Sequence, residues 1–261
     1  MARQPLPWPN NLPANERLST ASAKANHLID LVIALDQVHQ TNQLVLYTNV
    51  LSDQIPRSHA GHAFRQFQYS FYQFELIRLA SLWDAAGRDR FSLPTVSVLI
   101  DGDAVIAAAS DAARARYAFP YPVHIDAGGA GPEAVRDIER MLRQERLQIA
   151  EDRADACSVN LRRAVELCHQ VMVSAELIAL RELRNNAIAH NLHLPPPNDL
   201  TSPEVWYYGG EADLLHNTIT IIDLMHGALN GSSFDWDDMQ TQHKRNAQDL
   251  WLNCAFDIPG R

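Results

Sequence analysis

One stretch of the sequence gathers side chains suited to phosphate chemistry. It reads Leu180-Arg181-Glu182-Leu183-Arg184-Asn185-Asn186-Ala187-Ile188-Ala189-His190-Asn191. RNA can be cut by its own 2′-hydroxyl when a base removes the hydroxyl proton and a cation takes the charge that builds on the phosphate. His190 suits the first role, because an unperturbed imidazole titrates at about 6.5. Arg184 suits the second, since a guanidinium offers two parallel N–H donors to phosphate oxygens. Asn185 can orient the hydroxyl or donate to the phosphate. Arg181, Asn186 and, further along, Tyr207 are candidate substrate-binding residues. This chemistry calls for neither metal nor cofactor. Taken alone, the string also fits an exposed Arg followed by a helix-ending His that favours the negative end of the helix dipole.

The elements that would position these residues are helical. Leu28, Leu31, Val32, Leu35 and Val38 recur at three- and four-residue steps, predicting a helix from Glu16 to about Ser52. A second is expected from about Ser58 to Ala86. It carries an aromatic row, Phe64, Phe67, Phe71 and Phe74, that reads as core, with Gly87 as its stop. Ser92 and Pro94 mark the start of a short helix over 93–100, and Asp101-Gly102-Asp103 turns into another over 104–117. Residues 118–131 read as a loop. From Pro132 to Asn191 the pattern is helical throughout, with Val135, Ile138, Met141, Leu142 and Leu147 on one stripe and a weakly marked break near 150–155. Pro195-Pro196-Pro197 ends that region, and Val205 to Tyr208 is the one strand-like run. Helices over 211–229 and about 235–254 complete the chain. Residues 1–15, with four prolines, read as an extended arm; 16–254 form a single helical domain and 255–261 a tail.

Composition narrows the function. The 261 residues carry a net charge of −9, which argues against a broad polyanion-binding surface, because such surfaces are dense in Lys and Arg. Between Arg136 and Arg184, however, nine arginines balance nine acidic residues, so the motif-bearing region is locally neutral and arginine-rich. Arg140, Arg143 and Arg146 read as a solvated helix face. No run of about 18 apolar residues and no secretory signal is evident, so a cytoplasmic protein without membrane contact is expected. Cys157, Cys168 and Cys254 read as reduced core thiols. His190, His193 and His216 have no spacing that fixes a metal site, and no G-x-S-x-G elbow is present.

Arg184-Asn185, four further residues and His190 resemble the R-x(4–6)-H signature of HEPN domains. Other segments look more specifically like the AbiU2 branch: Leu82-Trp83-Asp84 followed by Phe91-Ser92-Leu93, the stretch from Leu183 to His190, Tyr207-Tyr208-Gly209, and Asn246 to Trp251. The resemblance spans roughly Glu16 to Cys254. It implies an all-α HEPN-like bundle of about seven or eight helices, expected to be dimeric. It also implies a metal-independent endoribonuclease of a phage-defence or toxin–antitoxin type system, leaving a 2′,3′-cyclic phosphate. RNA would be the substrate, and an antitoxin or defence protein a further partner.

On an ideal helix Arg184 and His190 lie 120° apart, so they converge only if the helix end distorts or a second subunit completes the site. HEPN domains commonly dimerise, which points to residues 158–190 and 211–229 as interface elements. The alternative is a non-catalytic helical interaction or dimerisation module. A third reading, a nucleotide-handling pocket, would bring together Arg181, Arg184 and Tyr207.

Overall fold

Three residues of the first apolar stripe, Leu28, Val32 and Leu35, are buried, and they set the centre of the core. The computed structural model describes residues 7–55, 57–118, 131–185 and 209–258. Among these residues there is no strand. A short turn, α1 (Pro7–Asn10), with Trp8 in extended backbone (φ −104°, ψ 137°), leads into α2 (Ala14–Val45). Then follow α3 (His59–Leu82), α4 (Leu93–Ile100), α5 (Asp103–Ala118), α6 (Pro132–Met172), α7 (Ala175–Leu183), α8 (Gly210–Asn230) and α9 (Trp236–Trp251). The all-α expectation holds, with nine helices among the described residues, eight of them of seven residues or more.

Helix α8 is the hub. Leu214, Leu215, Ile219, Ile221, Ile222, Met225 and Leu229 are all buried, and α2, α6, α3, α4 and α5 pack around it. A helix apolar on several faces belongs inside a bundle. Each such side chain contributes about 1.5–3 kcal/mol by leaving water. The short α4 is buried along nearly its whole length. Ser92 stands at its N-cap position and Pro94 in its first turn as expected, but the Ser92 hydroxyl pairs with Thr95 Oγ1 at 2.8 Å and caps no backbone N–H. No single helix among the described residues is long and apolar enough to cross a membrane.

Several boundaries differ from the sequence reading. Helix α3 stops at Leu82, not near Ala86, because Trp83 plunges into the core and its indole Nε1 donates to Thr218 Oγ1 at 2.9 Å. Helix α6 runs 41 residues without a break at 150–155. At 1.5 Å per residue that is about 60 Å. The chain breaks instead at Val173 and Ser174, where the Ser174 hydroxyl accepts from Leu177 N–H at 3.2 Å and caps α7.

The apolar stripe on the first half of α6 is not core either. Ile138, Met141 and Leu147 are exposed, since nothing among the described residues covers that end of the helix. The aromatic row of α3 is a satellite rather than core. Phe64, Phe67 and Phe71 are half-buried, Phe67 packs on Trp251 and Phe64 on Phe256, while Phe74 is exposed. The apolar residues of α3 that reach the core are Tyr72, Leu76, Leu79, Ala80 and Leu82. Cys157 and Cys168 are buried thiols as expected, whereas Cys254 is half-buried.

Candidate functional site

The motif begins where α7 ends. Leu177 and Leu180 anchor that helix in the core, which turns Arg181 and Arg184 toward the end of α3. At Arg184 and Asn185 the backbone widens into a π turn. Such local widening recurs at functional sites.

Arg184 is held from two sides. Its Nη1 donates to Asp84 Oδ1 at 2.8 Å, and its Nε to Asn185 Oδ1 at 3.4 Å. The second Asp84 oxygen receives Arg90 Nη1 at 2.9 Å, so one carboxylate lies between two guanidiniums. The Arg184 and Asp84 side chains are 27% and 29% exposed, so the pair faces solvent while being fixed by packing below. That packing is Trp83. Its carbonyl accepts from Arg181 Nη2, and its ring is fully buried. The next link is Lys24, whose ammonium donates to the Arg90 carbonyl at 2.9 Å and lies 4.5 Å from the centre of the Phe91 ring. Burial pulls the Lys24 pKa below its ordinary value, opposed by the charge of Asp89. The cluster thus carries several cations around one central carboxylate, an arrangement able to meet a phosphate without a metal ion.

Of the sequence-predicted site residues, the structure brings Arg184 and Asn185 into direct contact and places Arg181 at the joint between α3 and α7. Asn186, His190 and Tyr207 lie outside the described residues, as do the strand-like run 205–208, the Gly-rich loop over 128–131 up to its last residue, and His193. Sequence reasoning did not single out Asp84 or Arg90 as site residues. Their signal was the Leu82-Trp83-Asp84 and Phe91-Ser92-Leu93 junction, which the fold sets against the motif from 100 residues away.

A second polar constellation was also missed, and its carboxylates are buried. Glu75 of α3 accepts from Asn42 Nδ2 at 2.5 Å and meets His39 Nδ1 at 2.6 Å. Asp36 pairs with His243 Nδ1 at 2.8 Å and accepts from Gln240. Glu211, at the start of α8, accepts from the Tyr47 hydroxyl and from Gly209 N–H. Asp36, Asn42, Glu75 and Glu211 are all essentially without solvent contact. Burial lowers the His39 pKa, but the hydrogen bond and charge of Glu75, with Glu211 and Asp36 behind, outweigh it and leave the pKa raised. Burial and then Glu211 push the Tyr47 phenol well above its ordinary value. No group of three or more metal-ligating side chains occurs among the described residues.

No curated protein and no solved structure matches the chain. A family model does: HEPN_AbiU2, described as AbiU2, matches residues 25–250. That span runs from within α2 nearly to the end of α9 and takes in the Asp84 junction and the Arg184 cluster, so the chain belongs to the HEPN_AbiU2 family.

Proposed function

We propose that this protein is a metal-independent endoribonuclease of the phage-defence or toxin–antitoxin kind. The observation that carries the reading is Arg184, presented at a widened helix end and braced by Asp84 and Asn185 while still reachable from solvent. In the proposed reaction His190 takes the proton of a 2′-hydroxyl, and the freed oxygen attacks the adjacent phosphorus. The bond from phosphorus to the 5′-oxygen breaks, and the proton passes to that leaving oxygen. The products are a 2′,3′-cyclic phosphate and a 5′-hydroxyl end. Arg184 neutralises the charge on the phosphorane oxygens, Asn185 orients, and Arg181, Asn186 and Tyr207 contact the RNA. Arg90, which shares Asp84 with Arg184, adds cationic character to the approach.

A homodimer is part of the proposal, with two motifs facing one cleft. Val159, Val173 and Ile178 are exposed within the stretch 158–190, which supports its use as an interface. Helix 211–229 has less to offer, because most of its apolar side chains are already in the core. Sedimentation of the purified chain at twice the monomer mass is the expected outcome. A second reading, a non-catalytic interaction module, is favoured by one observation: Arg184 is already paired with a carboxylate. The two separate on Arg184→Ala. An endoribonuclease loses at least about 100-fold in cleavage, the usual cost of removing a donor to the transition-state oxyanion. A module cleaves nothing in either form.

A further inference from the structure

At the opposite end of α8 from Gly210, a cavity of about 190 Å³ opens between α5, α6 and the turn after α8. Arg116 and Arg153 line it. Elsewhere the α5–α6 seam is closed by ion pairs: Arg162 Nη2 meets Asp103 at 2.7 Å, and Arg114 is shared by Glu151 and Asp111. Neither Arg116 nor Arg153 meets a carboxylate within 4 Å among the described residues. Both are nevertheless held in place. Arg116 Nη2 donates to the Leu229 carbonyl at 3.1 Å, and Arg153 stacks 5.3 Å over the ring of Tyr117, whose hydroxyl donates to the Gly231 carbonyl at 3.3 Å.

Gly231 is what lets them converge. Its φ of +71° is left-handed, and a Cβ there would collide with the Arg116 guanidinium. Asn160, Ser232 and Ser233 add neutral donors to the wall. Asp223 also lines the cavity, but one of its oxygens is taken by Trp236 Nε1 at 3.0 Å, and the two arginines leave the wall with one positive charge in excess.

We infer that this cavity is a phosphate-binding site, distinct from the Arg184 cluster. Two preoriented guanidiniums supply paired donors, and the hydroxyls and amide serve the remaining oxygens of a tetrahedral oxyanion, which a carboxylate lacks. The volume decides the size of ligand. Sites for whole drug-sized molecules hold about 300–1,000 Å³, so this one takes a phosphoryl group and the edge of its sugar, with the rest of the ligand outside. The phosphate can come from a free nucleotide or from an RNA backbone running along α8. This site does not depend on the ribonuclease reading.

Isothermal titration at matched ionic strength tests it with three probes: inorganic phosphate, a nucleoside 5′-monophosphate, and a 12-residue RNA made uncleavable by 2′-O-methylation. Saturable binding that falls at least tenfold in the Arg116→Gln/Arg153→Gln double variant, but not in Arg114→Gln, is the expected result. Tenfold corresponds to about 1.4 kcal/mol. Binding of the two small probes identifies a mononucleotide site; binding of the oligonucleotide alone identifies an RNA subsite. Gly231→Ala evicts the Arg116 side chain and is expected to reproduce the loss, with circular dichroism reporting that the helices remain. Phosphate and nucleotide binding that persists in Arg184→Ala separates this site from the motif, and binding lost in that variant overturns the proposal. Binding of none of the probes, binding indifferent to both arginines, or equal competition by acetate overturns the proposal.

Discussion

Two polar clusters, one on α3 and one in the turn that follows it, are built on opposite terms. Just beyond the α3 C-terminus Asp84 joins Arg184 and Arg90 in a cluster that solvent reaches. Further back, Glu75 joins His39 and Asn42 where solvent does not reach. The first kind of ion pair contributes little to stability, because water already solvates its members and long side chains lose entropy in pairing. The second kind is costly to break, because the survivors stay buried without partners. A cluster that is cheap in stability and open to ligands suits binding and catalysis; a sealed one suits fixing how α2, α3 and α8 meet.

The largest expected effect follows from the sealed cluster. Glu75→Ala strands His39 and the Asn42 amide, and a loss of about 3–5 kcal/mol is expected in urea denaturation. A loss under 1 kcal/mol would remove the contrast between the regions.

The pH dependence has a definite sign. The His39 pKa is raised in the fold by Glu75, Glu211 and Asp36, against the lowering by burial. The folded state therefore holds its proton more tightly than the unfolded chain does. The resulting stability is full below the unfolded value of about 6.5 and is lost as pH rises through the higher folded value. Stability curves across pH 6–9 are expected to fall less steeply in His39→Gln; an unchanged slope would place the titration elsewhere.

The smallest effect belongs to the open cluster. Asp84→Ala is expected to cost about 0.2–1 kcal/mol of stability. It frees Arg184, so cleavage is expected to drop while the melting temperature scarcely moves. Equal losses in both would mean that Asp84 is a structural staple like Glu75.

The sequence made the open cluster half legible and the sealed one illegible, for different reasons. Arg184 and Asn185 stand in a local string, and local strings can be read. Asp84 meets them across 100 residues, which no spacing rule reaches. For the sealed cluster a signal did exist. Asp36, His39 and Asn42 follow Val32 and Leu35 on the same helical stripe, and Glu75 falls among Tyr72, Leu76 and Leu79. Polar residues at core spacing are what a buried network looks like from sequence, and a search for apolar periodicity passes over them. The all-α class and the limits of α4 and α8 were legible because caps, prolines and glycines punctuate them. The break before α7 was not, although Ser174 is an ordinary N-cap. The exposed stripe of α6 shows the converse error: periodicity marks an amphipathic face, and burial depends on whether another element covers it.

The central claim is that the motif cuts RNA through its own 2′-hydroxyl. It is tested most directly by incubating an RNA oligonucleotide with purified wild-type and His190→Ala protein in excess EDTA and analysing the new ends. The account predicts 2′,3′-cyclic phosphate and 5′-hydroxyl ends from the wild type and intact RNA with the variant. Equal cleavage by the variant, or cleavage by the wild type that EDTA abolishes, would contradict it.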